Sequence, residues 1–196
     1  MSSRLPAAQR KEQLLDVALH EFAARGFHGT AMSEVSDAAG VTKPVLYQHF
    51  PSKRALYLEL LHTVGDRLMR SIATATSTAG GPRQQVEHGL QAYFRFVDEQ
   101  RDAYRLMFGG GTRRDDEFAA EARRVEQSIA SVIASLIAID GLDDTDRLLF
   151  AHGVVGLAEG TTRHWMHDDQ GLRADEIAKR VADLAWRGLR GVRSNP

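Results

Sequence analysis

The strongest constraint in this chain is an apolar repeat close to 3.6 residues that recurs along nearly its whole length, with no alternating pattern beside it. That period lines up apolar side chains on one face of an α-helix, whereas a half-buried strand needs a period of two. The chain is therefore expected to be all-α. Leu14, Leu15, Ala18 and Phe22 share a face of a first helix over 7–25 that Gly26 ends. Thr30 is placed to cap a second helix reaching about Ala39, where Gly40 stops it, and a third runs from Lys43 to Phe50, before Pro51. Ser52 is expected to cap a fourth, and TATSTAGGP (74–82) reads as a loop.

Behind that loop the period resumes. Val86, Leu90, Tyr93, Phe94 and Val97 mark a fifth helix, 101–108 a short sixth ending at Gly109-Gly110-Gly111, and Phe118 to Ile137 a seventh. Two more, about 143–167 and 173–191, make roughly nine. The expected organisation is a front domain of three short helices, residues 1–54, followed by a helical regulatory domain, residues 55–196.

Composition excludes several classes. With no cysteine there are no disulfides or thiolate metal sites. The N-terminal MSSRLPAAQRKEQ lacks the apolar core of a signal peptide, and the apolar run 128–139 is too short to span a bilayer. These features predict a cytoplasmic protein without membrane attachment. Residues 1–54 carry a net charge of +2 within a chain of net −1, a weak basic bias toward the front.

The segment GVTKPVLYQHF (40–50) carries the most specific chemistry. The few residues around Gly40 are too short a link for two helices to pack side by side, and suit a helix-turn-helix instead. On a helical wheel Val45, Leu46 and Phe50 point inward, His49 lies on the inward side of the boundary, and Lys43, Pro44, Tyr47 and Gln48 share an outward arc. Such an arc can read a DNA major groove: lysine toward phosphate or guanine, glutamine toward adenine, proline against a thymine methyl, tyrosine toward phosphate. The same arc would also serve a plain helical hairpin facing water. Since the residue before a proline avoids the α region, either Thr42 caps a strained Lys43 or Lys43 is itself the half-helical cap.

The surrounding residues favour DNA. Gly26, Phe27 and Thr30, the turn Ala39-Gly40-Val41, the run Leu46 to Phe50 and the block Ser52 to Leu56 together closely resemble the DNA-binding domain of the TetR family of transcriptional regulators, over about Lys11 to Leu60. Ser36 stands where that family usually has alanine. The resemblance implies a homodimer that lays its third helices in the major grooves of a palindromic double-stranded operator, and a C-terminal domain whose small-molecule effector alters DNA affinity, most often as a repressor. Carried over, Thr42, Lys43, Pro44, Tyr47 and Gln48 would face bases, and Thr30, His49 and Lys53 would contact phosphates. Effector binding would shift the sixth helix and tilt the fourth.

Beyond residue 60 the resemblance fades. In the eighth helix Gly153, Gly156 and Gly160 fall on one arc, each costing helix propensity, and their benefit would be the close approach of another helix. With Val181, Leu184 and Ala185 of the ninth helix they are expected to form a dimer seam, with packing inside one chain as the alternative. His152 and Glu159 lie two turns apart on another arc. They could meet a ligand in a pocket lined by Tyr93, Phe96, Tyr104, Met107 and Phe108, unless neighbours or water satisfy them and the aromatics are ordinary core. His164, His167 and Asp168 have helical spacing but no further ligand, so neither a metal nor another cofactor is expected. No nucleophile–base pair and no phosphate-cradling loop appears, which argues against an enzyme. The rival readings are a helical small-molecule-binding protein or enzyme with structural front helices, and an adaptor that keeps the fold without DNA binding.

Overall fold

In a computed structural model the described residues, 5–139, 141–168 and 171–192, form nine α-helices and one short 3-10 helix. The helices are α1 (Ala7–Gly29), α2 (Met32–Ala38), α3 (Lys43–His49), α4 (Lys53–Ser77), α5 (Pro82–Glu99), α6 (Arg101–Phe108), α7 (Asp116–Leu136), α8 (Asp144–His167) and α9 (Ala174–Gly191). The 3-10 turn Thr112–Arg114 precedes α7. Among the described residues there is no strand, and no helix is long and apolar enough to cross a membrane.

The chain divides into two compact units. The first comprises residues 1–65 and 102–122; the second comprises 66–101 and 123–196. The first therefore reaches past the boundary at residue 54 expected from the sequence. The start of α4, all but the first residue of α6, the 3-10 turn and the first turns of α7 belong with the front helices. The reason is packing: Tyr57 of α4 lies 5.0 Å from Phe22 and 4.5 Å from Phe118, and Phe27 sits 4.9 Å from Phe118.

Within the first unit the turn between α2 and α3 is a Schellman motif. The Val41 N–H donates to the Ser36 carbonyl at 3.0 Å and the Gly40 N–H to Asp37 at 3.1 Å. Gly40 has φ 65°, and a Cβ there would meet nothing within 4 Å, so its demand is conformational rather than steric. Ser36 is fully buried, and its hydroxyl donates to the Ser33 carbonyl at 2.8 Å, which accounts for a polar residue at a helix contact.

Several helix ends differ from expectation. Gly26 does interrupt α1, with φ 71° and ψ 173°, but helical geometry resumes to Gly29. Residue 31, not Thr30, caps α2; there the Glu34 carboxylate accepts the Ala31 N–H at 2.7 Å. Thr42 occupies the cap of α3 with extended backbone (φ −79°, ψ 152°), which resolves the two alternatives at Pro44 in favour of Thr42. Ser52 caps α4 by accepting the Ala55 N–H at 3.0 Å. The expected loop 74–82 shrinks because α4 continues to Ser77: the hydroxyls of Thr76 and Ser77 fold back onto carbonyls three or four residues earlier, and Thr76 is buried.

In the second unit α5 packs most extensively on α9, and α8 touches both. Phe94 and Trp165 meet edge to face at 6.2 Å, and Ala130, Ile137, Leu142 and Ala151 close another part of the core.

Replacing Gly40 with alanine forces a left-handed L-residue and should cost about 1–2 kcal/mol in urea unfolding. Asparagine at 40 should cost less, and Ser36→Ala should stay within about 1 kcal/mol because it removes donor and demand together.

Candidate nucleic-acid interface

α3 presents its two faces as the wheel requires. Leu46 is fully buried and Phe50 nearly so, while Thr42, Lys43, Pro44, Tyr47 and Gln48 are all exposed, Tyr47 by 47%. The polar arc is thus held out to solvent by an apolar anchor on the opposite side of the same seven-residue helix. Lys43 supplies one positive charge, Gln48 a paired donor and acceptor, Tyr47 a hydroxyl on a rigid ring, and Pro44 a donor-free apolar edge. His49 is half-buried beside Phe50, 6.3 Å between ring centroids.

Of the residues expected to meet phosphate, Thr30 is turned inward and Lys53 is anchored to its own chain. Thr30 is 1% exposed, and its hydroxyl is shared between the carbonyls of Gly26 at 2.9 Å and Glu21 at 3.1 Å. The side chain is spent closing the break in α1 and is corrected from phosphate ligand to internal tie. Lys53 donates to the Thr30 carbonyl at 2.9 Å and sits 4.6 Å over the Phe27 ring. An ammonium has three donors, so this anchoring fixes its position while leaving donors for a phosphate.

Polar links also join residues 1–65 to residues 102–122. Thr112 donates to the Leu106 carbonyl, so its oxygen accepts from the Tyr57 hydroxyl at 2.8 Å. Burial pushes the Tyr57 phenol up, the Thr112 bond offsetting part of this, so it remains a donor at neutral pH. Arg54 grips Asp115 with two nitrogens, at 3.0 and 2.8 Å, turns its Nε to Glu117 and lies 4.7 Å from the Phe118 ring centroid. His20 meets Asp102 at 3.2 Å. None of these ties stood out in the sequence, because their partners are 55 to 82 residues apart. The Arg54 guanidinium holds the Asp115 carboxyl below its ordinary range, so the pair is intact at neutral pH and is lost only as pH falls through that lowered value.

The residues expected to line an effector pocket fall in both units. Tyr93 and Phe96 are buried in the second, where the Thr162 hydroxyl donates to the Tyr93 hydroxyl at 3.4 Å. Tyr104 and Met107 are buried in the first, with Phe108 5.0 Å from Tyr104. Glu159 is half-buried, but His152 is exposed on α8 and does not point into an apolar interior, which corrects its expected place. Of the expected seam, Val181 and Ala185 are already buried within the chain and are corrected to intrachain core. Gly153, Gly156 and Leu184 are exposed, Gly160 half so. Among the described residues no three His, Asp or Glu come together to hold a metal.

The two faces of α3 should separate cleanly in unfolding experiments. Leu46→Ala should cost about 2–5 kcal/mol, whereas Lys43→Ala and Tyr47→Ala should stay within about 0.5 kcal/mol, leaving them usable as probes of binding alone.

Comparison with known proteins agrees with this geometry. Residues 14–60 match the family described as bacterial regulatory proteins, tetR family, and residues 82–188 match a tetracyclin repressor-like C-terminal domain. The chain is 34% identical over 191 residues to the HTH-type transcriptional activator FasR of Mycolicibacterium smegmatis, covering 97% of this chain and 87% of that protein. A TetR-like transcriptional regulator from Rhodococcus sp. RHA1 superposes with a TM-score of 0.79 at 28% identity, covering 96% of this chain and all of the other. The regulator FadR of Bacillus subtilis, solved with stearoyl-CoA, shares the fold (TM-score 0.76, 16% identity, 93% and 99% covered). With both parts of the chain matched and the α3 face exposed as a groove reader requires, this protein belongs to the TetR family of DNA-binding transcriptional regulators.

Proposed function

We propose that the protein binds a palindromic operator as a homodimer, reads bases with Thr42, Lys43, Pro44, Tyr47 and Gln48 of α3, and changes its occupancy when a small-molecule effector binds the helical domain. The observation that carries this reading is the exposed polar arc of α3 over a fully buried Leu46. A duplex offers successive major grooves on one face about 34 Å apart, so two copies of so short a helix gain specificity only when a second subunit holds them at that spacing. Lys53 and His49 at the edges of the arc are the phosphate contacts in this reading. The small basic excess of the front residues gives a shallow dependence on salt, because few phosphates are neutralised.

The dimer is assigned to the outer stripe of α8 and α9. Leu149 and Leu184 are 65% and 60% exposed, and a Cβ at Gly153, Gly156 or Gly160 would meet nothing within 4 Å in the single chain. Glycine there brings no benefit to the isolated subunit, and close approach of a second helix supplies the reason for it. The sign of regulation follows from where the operator lies relative to the promoter. The family resemblance suggested a repressor and the M. smegmatis relative is named an activator; one binding event serves either. The effector class proposed for first trial is long-chain acyl-CoA, the ligand type held by the B. subtilis neighbour.

Selection of bound fragments from random duplex DNA should recover a palindrome with half-sites about one helical turn apart or a multiple of it; recovery of no sequence would sink the reading. Lys43→Ala and Tyr47→Ala should each weaken the recovered site by about tenfold or relax its sequence, in keeping with about 1–3 kcal/mol per specific contact. Gly153→Ala with Gly156→Ala should add helix propensity of about 1 kcal/mol each to the subunit and yet weaken its self-association in sedimentation equilibrium. Stearoyl-CoA should raise the melting temperature and loosen or tighten the operator complex; a compound that binds without changing operator affinity is not the effector.

A further inference from the structure

The first unit contains two pieces of chain, residues 1–65 and residues 102–122, and three base–acid ties between them have the base on the first piece and the acid on the second. On the front helices stand His20, Arg54 and His62; across from them stand Asp102, Asp115 with Glu117, and Glu121. Arg54 is the tie with the most complete geometry. Two of its nitrogens meet the two Asp115 oxygens, its Nε meets Glu117, and its planar group lies 4.7 Å from the Phe118 ring centroid. A guanidinium held by a bidentate carboxylate, a second carboxylate and a ring face has little freedom left, unlike an ordinary surface ion pair.

Both ends of this clamp are structurally consequential. Arg54 lies in the first turn of α4, five residues after the last residue of α3, and its neighbour Lys53 holds the Thr30 carbonyl ahead of α2. Asp115 is the cap of α7: its Oδ1 accepts the N–H groups of Glu117 and Phe118 at 3.1 and 3.2 Å while also accepting from Arg54. One carboxylate thus caps α7 and holds a side chain of the first turn of α4. The segment it belongs to is joined at both ends, residues 101 and 123, to the second unit.

We propose that Arg54 is a positioning residue for DNA binding: clamped by Asp115 and Glu117, it sets the orientation of the reading helix without itself contacting the duplex. This rests on the operator-binding reading above. A basic residue next to Lys53 could instead serve as one more phosphate ligand, and the two roles predict opposite behaviour of the acidic partners. A phosphate ligand is freed when its acids are neutralised; a clamp is lost.

The test uses the full chain and the DNA it selects. Asp115→Asn is the informative change, because asparagine still caps a helix but withdraws the charge. Arg54→Lys keeps a cation for phosphate but cannot make the paired contact. Arg54→Gln, Arg54→Lys and Asp115→Asn are each expected to weaken operator binding by about fivefold. Arg54→Gln combined with Asp115→Asn should be no worse than either alone, and the salt dependence should keep the wild-type slope. Melting curves establish that the variants are folded, and hydrogen exchange at the amides of α3 should quicken in all of them. The clamp is overturned if Arg54→Gln lowers the salt slope by about one, Arg54→Lys matches wild type and Asp115→Asn binds as well or better, the pattern of a phosphate ligand. Additive losses in the double variant overturn it as well. Wild-type protein that selects no DNA would instead remove the operator reading, and the clamp's role with it.

Discussion

The left-handed turn at Gly40 is the constraint on which the exposed polar arc of α3 depends. It satisfies the last carbonyls of α2 through the N–H groups of Gly40 and Val41 and sends the chain straight into the extended Thr42, which opens α3. With the turn closed so tightly, the helix that follows has only one way to bury Leu46 and Phe50, and its opposite arc is left outward as a consequence. The polar face is defined by where the apolar one must go.

A seven-residue helix has little stability of its own, and its orientation has to be supplied from behind. Here the support is mixed. Apolar contact comes from the ring cluster of Phe22, Phe27, Tyr57 and Phe118, which is non-directional in strength though specific in shape. Direction comes from hydrogen bonds with fixed geometry: Lys53 to the Thr30 carbonyl, Tyr57 through Thr112 to the Leu106 carbonyl, Arg54 to Asp115. Thr30 belongs to this internal frame rather than to the exposed face of α3, a reminder that a threonine following a helix break often has its hydroxyl engaged by the carbonyls the break exposes.

The second unit shows a different economy. α9 spends its Ile177, Val181 and Ala185 face on its own chain, leaving Leu184 outward, while α8 keeps Ala151, Ala158 and Trp165 inward and Gly153 and Gly156 out. Residues that a wheel groups as one apolar surface are thereby divided between core and exterior. A helix with apolar residues on several sides announces several contacts, but the wheel carries no label saying which contact is internal.

Much of the fold, and the exposure of the polar arc of α3, was legible without coordinates. The 3.6-residue period named the helices, Gly40 and Pro51 bounded the third, and the outward arc of Lys43, Pro44, Tyr47 and Gln48 lies opposite the midpoint of Val45 and Leu46 on the wheel. These are local properties, determined by neighbours within one or two turns. What only the tertiary structure decided was every relation between distant segments: that residues 102–122 join the front helices, that Val181 is core and Leu184 is not, that His152 is exposed, and that Arg54 finds Asp115 across 61 residues. Periodicity records which face of a helix is apolar; which partner covers it depends on how the chain returns, and no local pattern encodes that.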